Sequence, residues 1–491
     1  MRKNTGQDGE RDAAPGGDAG GGLFSRLFGR RRGPRPERIE IRVAAIADQA
    51  GADRSRHVVA ALRKPKGLRV RPLKRALAPD AAGSPAEWLA AAATARQWLA
   101  RERADLLIWG EIPAPGTTLH LRFVSAAVEE EDPPGGFSLA TTLNLPVDFG
   151  PEFAPLLLAV SLAATTPGSE GKRLRLGQAL EEALYAAMPC VHNLPADLTA
   201  RERAAIHMCY GNALATLANR GGNRDLYQVA AQTYQASLEN RSREDDPLDW
   251  ALTKKHLGAV LQALAERAND METLAAAADA LRGALDVLTR AESPRAWAAT
   301  QNRLGQVLYR LDSRTGEGDT LGDSLNAFQA ALMVFTRGET PLLWAEVMNN
   351  FAQAAQVLGQ QLRNTEVLTK AADACRAALT VRTEDADPLP FAATQNTLGS
   401  ALFLLGRLTG ESAHLEGAAE AFEKARAVYT ALGTDAMAAV TEKNLSHVER
   451  LLGGPAPAAA QRQDAEGEGA DRPAAQGRRP ARPGKKGRRR G

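Results

Sequence analysis

A chain that repeats itself at a fixed interval can fold only as a stack of like units. This one keeps an interval of 47 residues, without slippage, from about residue 204 to residue 452. Trp250, Trp297, Trp344 and Phe391 fall on that interval, each followed by Ala and each three residues after Pro247, Pro294, Pro341 or Pro388. Eight residues beyond the aromatic, a small residue recurs as Gly258, Gly305, Ala352 and Gly399, with Gly211 one period upstream and Ser446 one downstream. Leu238, Leu285, Leu332 and Leu379 form a second series. A period in the range of roughly 20 to 50 residues marks an array in which no unit buries its apolar face alone.

The segment from Pro294 to Arg310 shows what one unit is. Trp297, Ala298, Leu304, Gly305 and Leu308 recur at helical spacing and no strand alternation competes. A polar break over residues 312–319, containing Gly316 and Gly318, precedes a second helical run with Leu321, Leu325, Phe328, Ala331 and Leu332 on one face. Each unit is therefore expected to be helix, turn, helix. The small residue lets the two helices approach closely, which offsets the roughly 1 kcal/mol that Gly costs a helix against Ala.

The units resemble tetratricopeptide repeats. That resemblance rests on the pairs Leu257-Gly258, Leu304-Gly305 and Leu398-Gly399, with Phe351-Ala352 as a variant. It rests also on second-helix triplets such as Ala277/Leu281/Ala284, Ser324/Phe328/Ala331, Ala371/Cys375/Ala378 and Ala418/Phe422/Ala425. The period exceeds the family's usual value of about 34, and the proline stands before the first helix rather than after the second. Longer helices or fuller loops follow. The resemblance implies an α-solenoid whose first helices line a concave groove for a partner's peptide.

Counted from the Leu-Gly pair, the groove positions are Lys255, Asn302, Asn349 and Asn396; then Ala259, Gln306, Gln353 and Ser400; then Gln262, Tyr309, Gln356 and Phe403. An Asn in three successive units can both donate to and accept from a peptide backbone. The same Asn and Gln also suit the solvated face of an amphipathic helix. Trp250, Trp297, Trp344 and Phe391, in register with the packing glycines Gly211, Gly258, Gly305 and Gly399, are expected in the core between repeats rather than against a ligand.

Ahead of the array, residues 38–165 read as a small α/β domain. Residues 38–48, 67–73, 105–112 and 117–126 have strand character and residues 55–62 and 84–103 helical character, with Ser84 as N-cap. Residues 137–145 are expected to add a strand and 153–164 a packed helix. The ADLLIWGEI and LHLRFVSA strands resemble an amino-terminal domain of the TolB type, which implies a module that accompanies helical repeats in bacterial proteins. Gly110-Glu111 ends a strand, but no G-x-G-x-x-G, phosphate-binding loop or nucleophile elbow follows any strand. Residues 166–199 are expected to cap the leading end of the array and residues 438–452 the trailing end, because a terminal repeat otherwise exposes an apolar face.

Charge is uneven. The net +3 of the 491 residues divides into +9 on residues 1–37 and 453–491 and −6 on the body between them. That is not the footprint of a groove-reading nucleic-acid protein, whose basic stripe lies on the fold. Both tails are expected to be disordered. Leu23, Phe24, Leu27 and Phe28 beside Arg26 and Arg30–Arg32 could rest on an anionic membrane, and the eight basic residues between Arg478 and Arg490 could draw nucleic acid or lipid. Three cysteines without paired spacing read as reduced core thiols, and the seven histidines carry no metal-ligand spacing. With no signal peptide or membrane span in the sequence, the expectation is a scaffold, cytoplasmic or peripheral at the inner membrane surface and without catalysis, cofactor or metal, that binds a protein or peptide. The alternatives are a ligand-sensing or enzymatic α/β domain regulated by the repeats, or tethering to membrane or nucleic acid through the tails.

Overall fold

A computed structural model of the chain describes residues 38–47, 51–63, 67–77, 85–127, 132–221, 223–268, 270–315 and 319–453. The two basic tails, Ser84 and the turn with Gly316 and Gly318 lie outside the described residues.

The first part is a five-stranded sheet with β1 (Ile39–Val43), α1 (Ser55–Leu62), β2 (Leu68–Pro72), α2 (Pro85–Glu102), β3 (Leu106–Glu111), β4 (Thr118–Ser125) and β5 (Leu143–Pro146). The strand order is β2-β1-β3-β4-β5; β1 lies parallel to β2 and β3, and β3, β4 and β5 form an antiparallel meander. Alternation decides the two faces. Ile39, Ile41, Ile108, Leu121 and Phe123 pack against α1 and the helices that follow, while Leu107, Trp109 and Val124 pack against Ala95 and Leu99 of α2. The strand expected over residues 137–145 is shorter and begins at Leu143. Before it the backbone leaves the sheet, because Leu139 packs toward Trp109 and Ala140 toward Met208 and Leu252 of the array.

Next come α3 (Ala154–Ala163) and α4 (Glu170–His192), then the repeats. First helices are α5 (Ala200–Gly221), α7 (Pro247–Ala268), α9 (Pro294–Thr315), α11 (Pro341–Leu362) and α13 (Pro388–Thr409). Second helices are α6 (Arg224–Glu239), α8 (Met271–Leu285), α10 (Asp319–Leu332), α12 (Thr365–Leu379) and α14 (Ser412–Ala431), and α15 (Asp435–Gly453) closes the stack. Every first helix has 22 residues, about 33 Å at 1.5 Å per residue. The long period therefore goes into longer helices. Asn223, Asp270 and Asn364, also in 47-residue register, cap second helices by accepting backbone N–H groups of the first turn.

The small residue of each first helix faces the large residue of its own second helix. A Cβ placed on Gly211, Gly258, Gly305 or Gly399 would come within 2.6–2.8 Å of Tyr234, Leu281, Phe328 or Phe422. The fourth unit inverts the pairing in size: Ala352 replaces Gly and Cys375 replaces the bulky partner, both fully buried in one cluster. Trp250, Trp297, Trp344 and Phe391 are half-buried rather than enclosed. Trp250 and Trp297 lean on the Ala251–Leu252–Ala284–Leu288 cluster, and Lys254 Nζ lies 5.4 Å from the Trp250 ring centroid.

Sheet and array share a core. One apolar cluster runs from Ile39 and Leu106 through Leu156 and Leu180 to Tyr234, Leu257 and Val260. The α3–α4 pair is the joint, with its apolar residues facing both ways. No helix among the described residues is long and apolar enough to cross a membrane.

Candidate functional site

The first-helix face is built from the positions singled out by the repeat register, and its N-terminal half is already engaged. Lys255, Gln262, Asn302 and Asn349 are buried. Asn302 Nδ2 donates to Glu346 Oε1 at 3.0 Å, and Asn350 Nδ2 donates to Asn302 Oδ1 at 3.1 Å. Gln306 Nε2 reaches the same Glu346 oxygen at 3.3 Å, and Gln262 Nε2 donates to Gln306 Oε1 at 3.0 Å. Arg303 Nη1 donates to Gln262 Oε1 at 3.2 Å. The series thus forms a polar ladder from α7 through α9 to α11, in which Gln262, Asn302 and Gln306 have neighbours' side chains as partners, while the buried Asn349 Oδ1 has none among the described residues. Farther along, Asn396 Oδ1 accepts from Thr441 at 3.3 Å. Tyr309 is half-buried against apolar neighbours. Gln353 and Gln356 are partly exposed and have no hydrogen-bond partner among the described residues.

What occupies this half of the face is the chain itself. The segment Asp132–Thr142, between β4 and β5, lies across α5, α7 and α9 as a strap. Lys255 Nζ donates to Asp132 Oδ1 at 2.6 Å, and Arg303 Nη2 donates to the Asp132 backbone oxygen and stands 3.8 Å from Oδ2. Burial disfavours the Asp132 carboxylate, but Lys255 and Arg303 outweigh it and hold the carboxyl below its ordinary range. Gly135 adopts φ +83° where a Cβ would lie 2.4 Å from the Asn212 oxygen of α5, so only glycine fits this approach. Thr216 Oγ1 donates to the Gly135 oxygen at 3.3 Å, and Cys209 Sγ to the Thr142 oxygen at 3.3 Å. Next to Lys255, His256 is buried and lies 5.9 Å from Tyr234, ring stacked on ring. Burial, then Lys255, lowers its pKa to about 3, so the ring stays neutral.

A second polar surface faces the array from the sheet. Glu111, His120 and Asn144 stand opposite one another across β3, β4 and β5, so their side chains share a face with Trp109 and Arg122 in the next row. Arg122 Nη1 pairs with Glu111 Oε1 at 2.8 Å, and the guanidinium lies 4.4 Å from the Trp88 ring centroid and 5.4 Å from that of Trp109. On the array side, Arg241 reaches Asp246 Oδ2 at 3.1 Å and Asp249 Oδ2 at 3.2 Å, and Arg201 reaches Asp246 at 3.0 Å. Burial raises the Asp249 carboxyl pKa despite Arg241, and burial followed by Arg122 lowers that of His120. Thr118 Oγ1 donates to Glu202 Oε1 at 2.7 Å and ties β4 to α5. Of these groups, His120, Arg122, Asn144, Arg201, Asp246 and Asp249 line part of a crevice of about 1820 Å³ between sheet, strap and array.

Asp132, Arg303, Glu346 and the Arg122 row were not among the expected site residues. Glu346 lies one turn before the groove residue Asn349 on the same helix face, a signal available in the sequence. Asp132 carries none, because it sits in an aperiodic loop. All three cysteines are free thiols. Burial raises the pKa of Cys190 to about 11 and of Cys375 to about 12, and burial also raises that of Cys209. The chain matches no protein-family model, and no curated protein matches it.

Proposed function

We propose that this chain is a non-enzymatic interaction scaffold of tetratricopeptide-like units that binds a protein partner along the first-helix face of the array. The observation that carries the reading is the strap: the face already holds a segment of polypeptide, Asp132–Gly136, which turns at Pro134-Gly135 and is held through a lysine, an arginine and close backbone contact. A partner's segment would extend the same surface toward the C-terminal units, where Gln353, Gln356, Ser400 and Phe403 are partly exposed. Those groups suit an extended peptide, since amide side chains pair with its backbone and an aromatic ring anchors a side chain.

The test is quantitative affinity capture with wild type and with Gln353→Ala/Gln356→Ala/Phe403→Ala, helical content being checked for both. A protein retained by wild type and lost by the folded variant supports the reading. Recovery of the same proteins by both removes the face from consideration.

A further inference from the structure

The crevice between sheet and array holds two arginines that have no counter-charge among the described residues. Arg96 stands on α2, beside the sheet, and Arg295 in the first turn of α9, in the array, and both line the crevice. Neither has a carboxylate or hydrogen-bond partner among the described residues, and the buried Arg96 Nε is left without an acceptor. Most acidic groups close by are taken elsewhere. Of the acids lining the crevice, Asp132 pairs with Lys255, Glu170 with Arg173, and Asp246 and Asp249 with Arg241, while Glu292 accepts from Thr289 and Glu181 is exposed on α4. Burial lowers the pKa of Arg96, and the charge of Arg295 lowers it further, so the two guanidiniums sense one another across the gap. Like charges facing each other without an intervening anion are unfavourable, and a buried charged donor left unpaired adds to that cost.

We propose that this crevice binds the phosphoryl group of a small anionic molecule between Arg96 and Arg295. Three features favour such a group. Two guanidinium forks from separate elements match a tetrahedral anion, which offers oxygens in several directions, better than a planar carboxylate. The first N–H groups of α9, next to Arg295, have no intrahelical acceptor, and a 22-residue helix brings its positive dipole end there. The remainder of the molecule would meet the Asn144 Oδ1 and Arg122 Nε atoms of the crevice, both buried and both lacking a hydrogen-bond partner. Because α2 belongs to the sheet and α9 to the array, the anion would bridge the two. Arg96 and Arg295 are not among the partner-binding positions Gln353, Gln356, Ser400 and Phe403, so the proposal stands whether or not that reading holds.

The experiment is isothermal titration of the full chain with pyrophosphate, inorganic phosphate and acetate, at low and moderate salt. Wild type is expected to bind pyrophosphate saturably and more tightly than acetate, with affinity falling as salt rises. Arg96→Gln and Arg295→Gln should each weaken binding about tenfold or more, with Arg295→Lys intermediate. Arg295 lies on an exposed first turn, so its substitution tests the site even if Arg96→Gln fails to fold. Exposed Arg282, paired with Asp279 far from the crevice, provides the control Arg282→Gln, expected to match wild type. Absence of saturable binding, equal binding of acetate, or unchanged binding in the Arg96→Gln/Arg295→Gln protein would overturn the proposal.

Discussion

Asp132 and Lys255 stand 123 residues apart and meet at 2.6 Å. That contact turns the β4–β5 connection from a loop of the sheet into a strap on the repeats. Lys255 is nearly enclosed, its side chain 9% exposed, and without Asp132 its charge would have no carboxylate beside it. Asp132→Asn should therefore cost about 1–3 kcal/mol and raise hydrogen exchange over residues 132–142. Lys255→Met in the same chain should recover part of that loss, since it removes the stranded charge. Urea unfolding with exchange mass spectrometry checks both; strictly additive losses would show that the pair is not coupled.

The 47-residue glycine series makes a packing prediction. A methyl on Gly305 would lie 2.7 Å from the Phe328 ring, and the ring is fully buried. Gly305→Ala gains about 1 kcal/mol of helix propensity but overpacks the contact by about 1–3 kcal/mol, so a net loss is expected. Combined with Phe328→Cys, which copies the Ala352/Cys375 unit, the alanine should cost less than it does alone. A double-mutant cycle reads the coupling; a stabilising Gly305→Ala would contradict the account.

Histidine burial sets the pH response. The folded pKa of His256 is about 3, against about 6.5 for an unfolded histidine. Between those values the unfolded chain binds a proton that the folded chain does not, so stability falls as pH drops through that window, by up to about 1.4 kcal/mol per unit for the group. His120 and His207, also lowered by burial, act in the same direction. Asp132 adds nothing between pH 7.5 and 5, because its lowered carboxyl loses its stabilising effect as pH falls below the ordinary carboxylate pKa toward the lowered one. Urea midpoints at pH 7.5, 6 and 5 should decline in that order, with a shallower decline in His256→Gln.

Thiol reactivity follows from the same burial. Cys209 and Cys375 are fully buried and Cys190 is partly exposed. In native protein at pH 8, iodoacetamide should label Cys190 slowly and the other two hardly at all, since the thiolate is the nucleophile. Unfolding in urea should equalise the three, as followed by peptide mass spectrometry.

The fold was legible to the extent that it is periodic. Prolines at 247, 294, 341 and 388 each begin a first helix, and the Gly/bulky pairing can be read from the same register. Alternation placed β1 to β4 within a few residues. The strap was not legible, because Asp132–Thr142 has no period and its partners lie far along the chain. The Asn series was legible as a face but not as a ladder: an amide that suits a peptide also suits a neighbouring repeat, and the Glu346 that Asn302 meets comes from the next repeat. The Arg122 row was hidden for a third reason. A buried arginine on a strand is costly unless paired, and the groups that accommodate Arg122 of β4 come from other elements, Glu111 and Trp109 from β3 and Trp88 from α2.

The most direct test of the partner-binding face is site-specific photocross-linking in cells. A cross-linking residue at Gln356 or Phe403, on the first-helix face, is compared with one at exposed Glu420 on the second helix α14. The account predicts that one protein is trapped from both first-helix positions and not from position 420. Trapping of nothing from 356 and 403, or of the same proteins from all three, would contradict it.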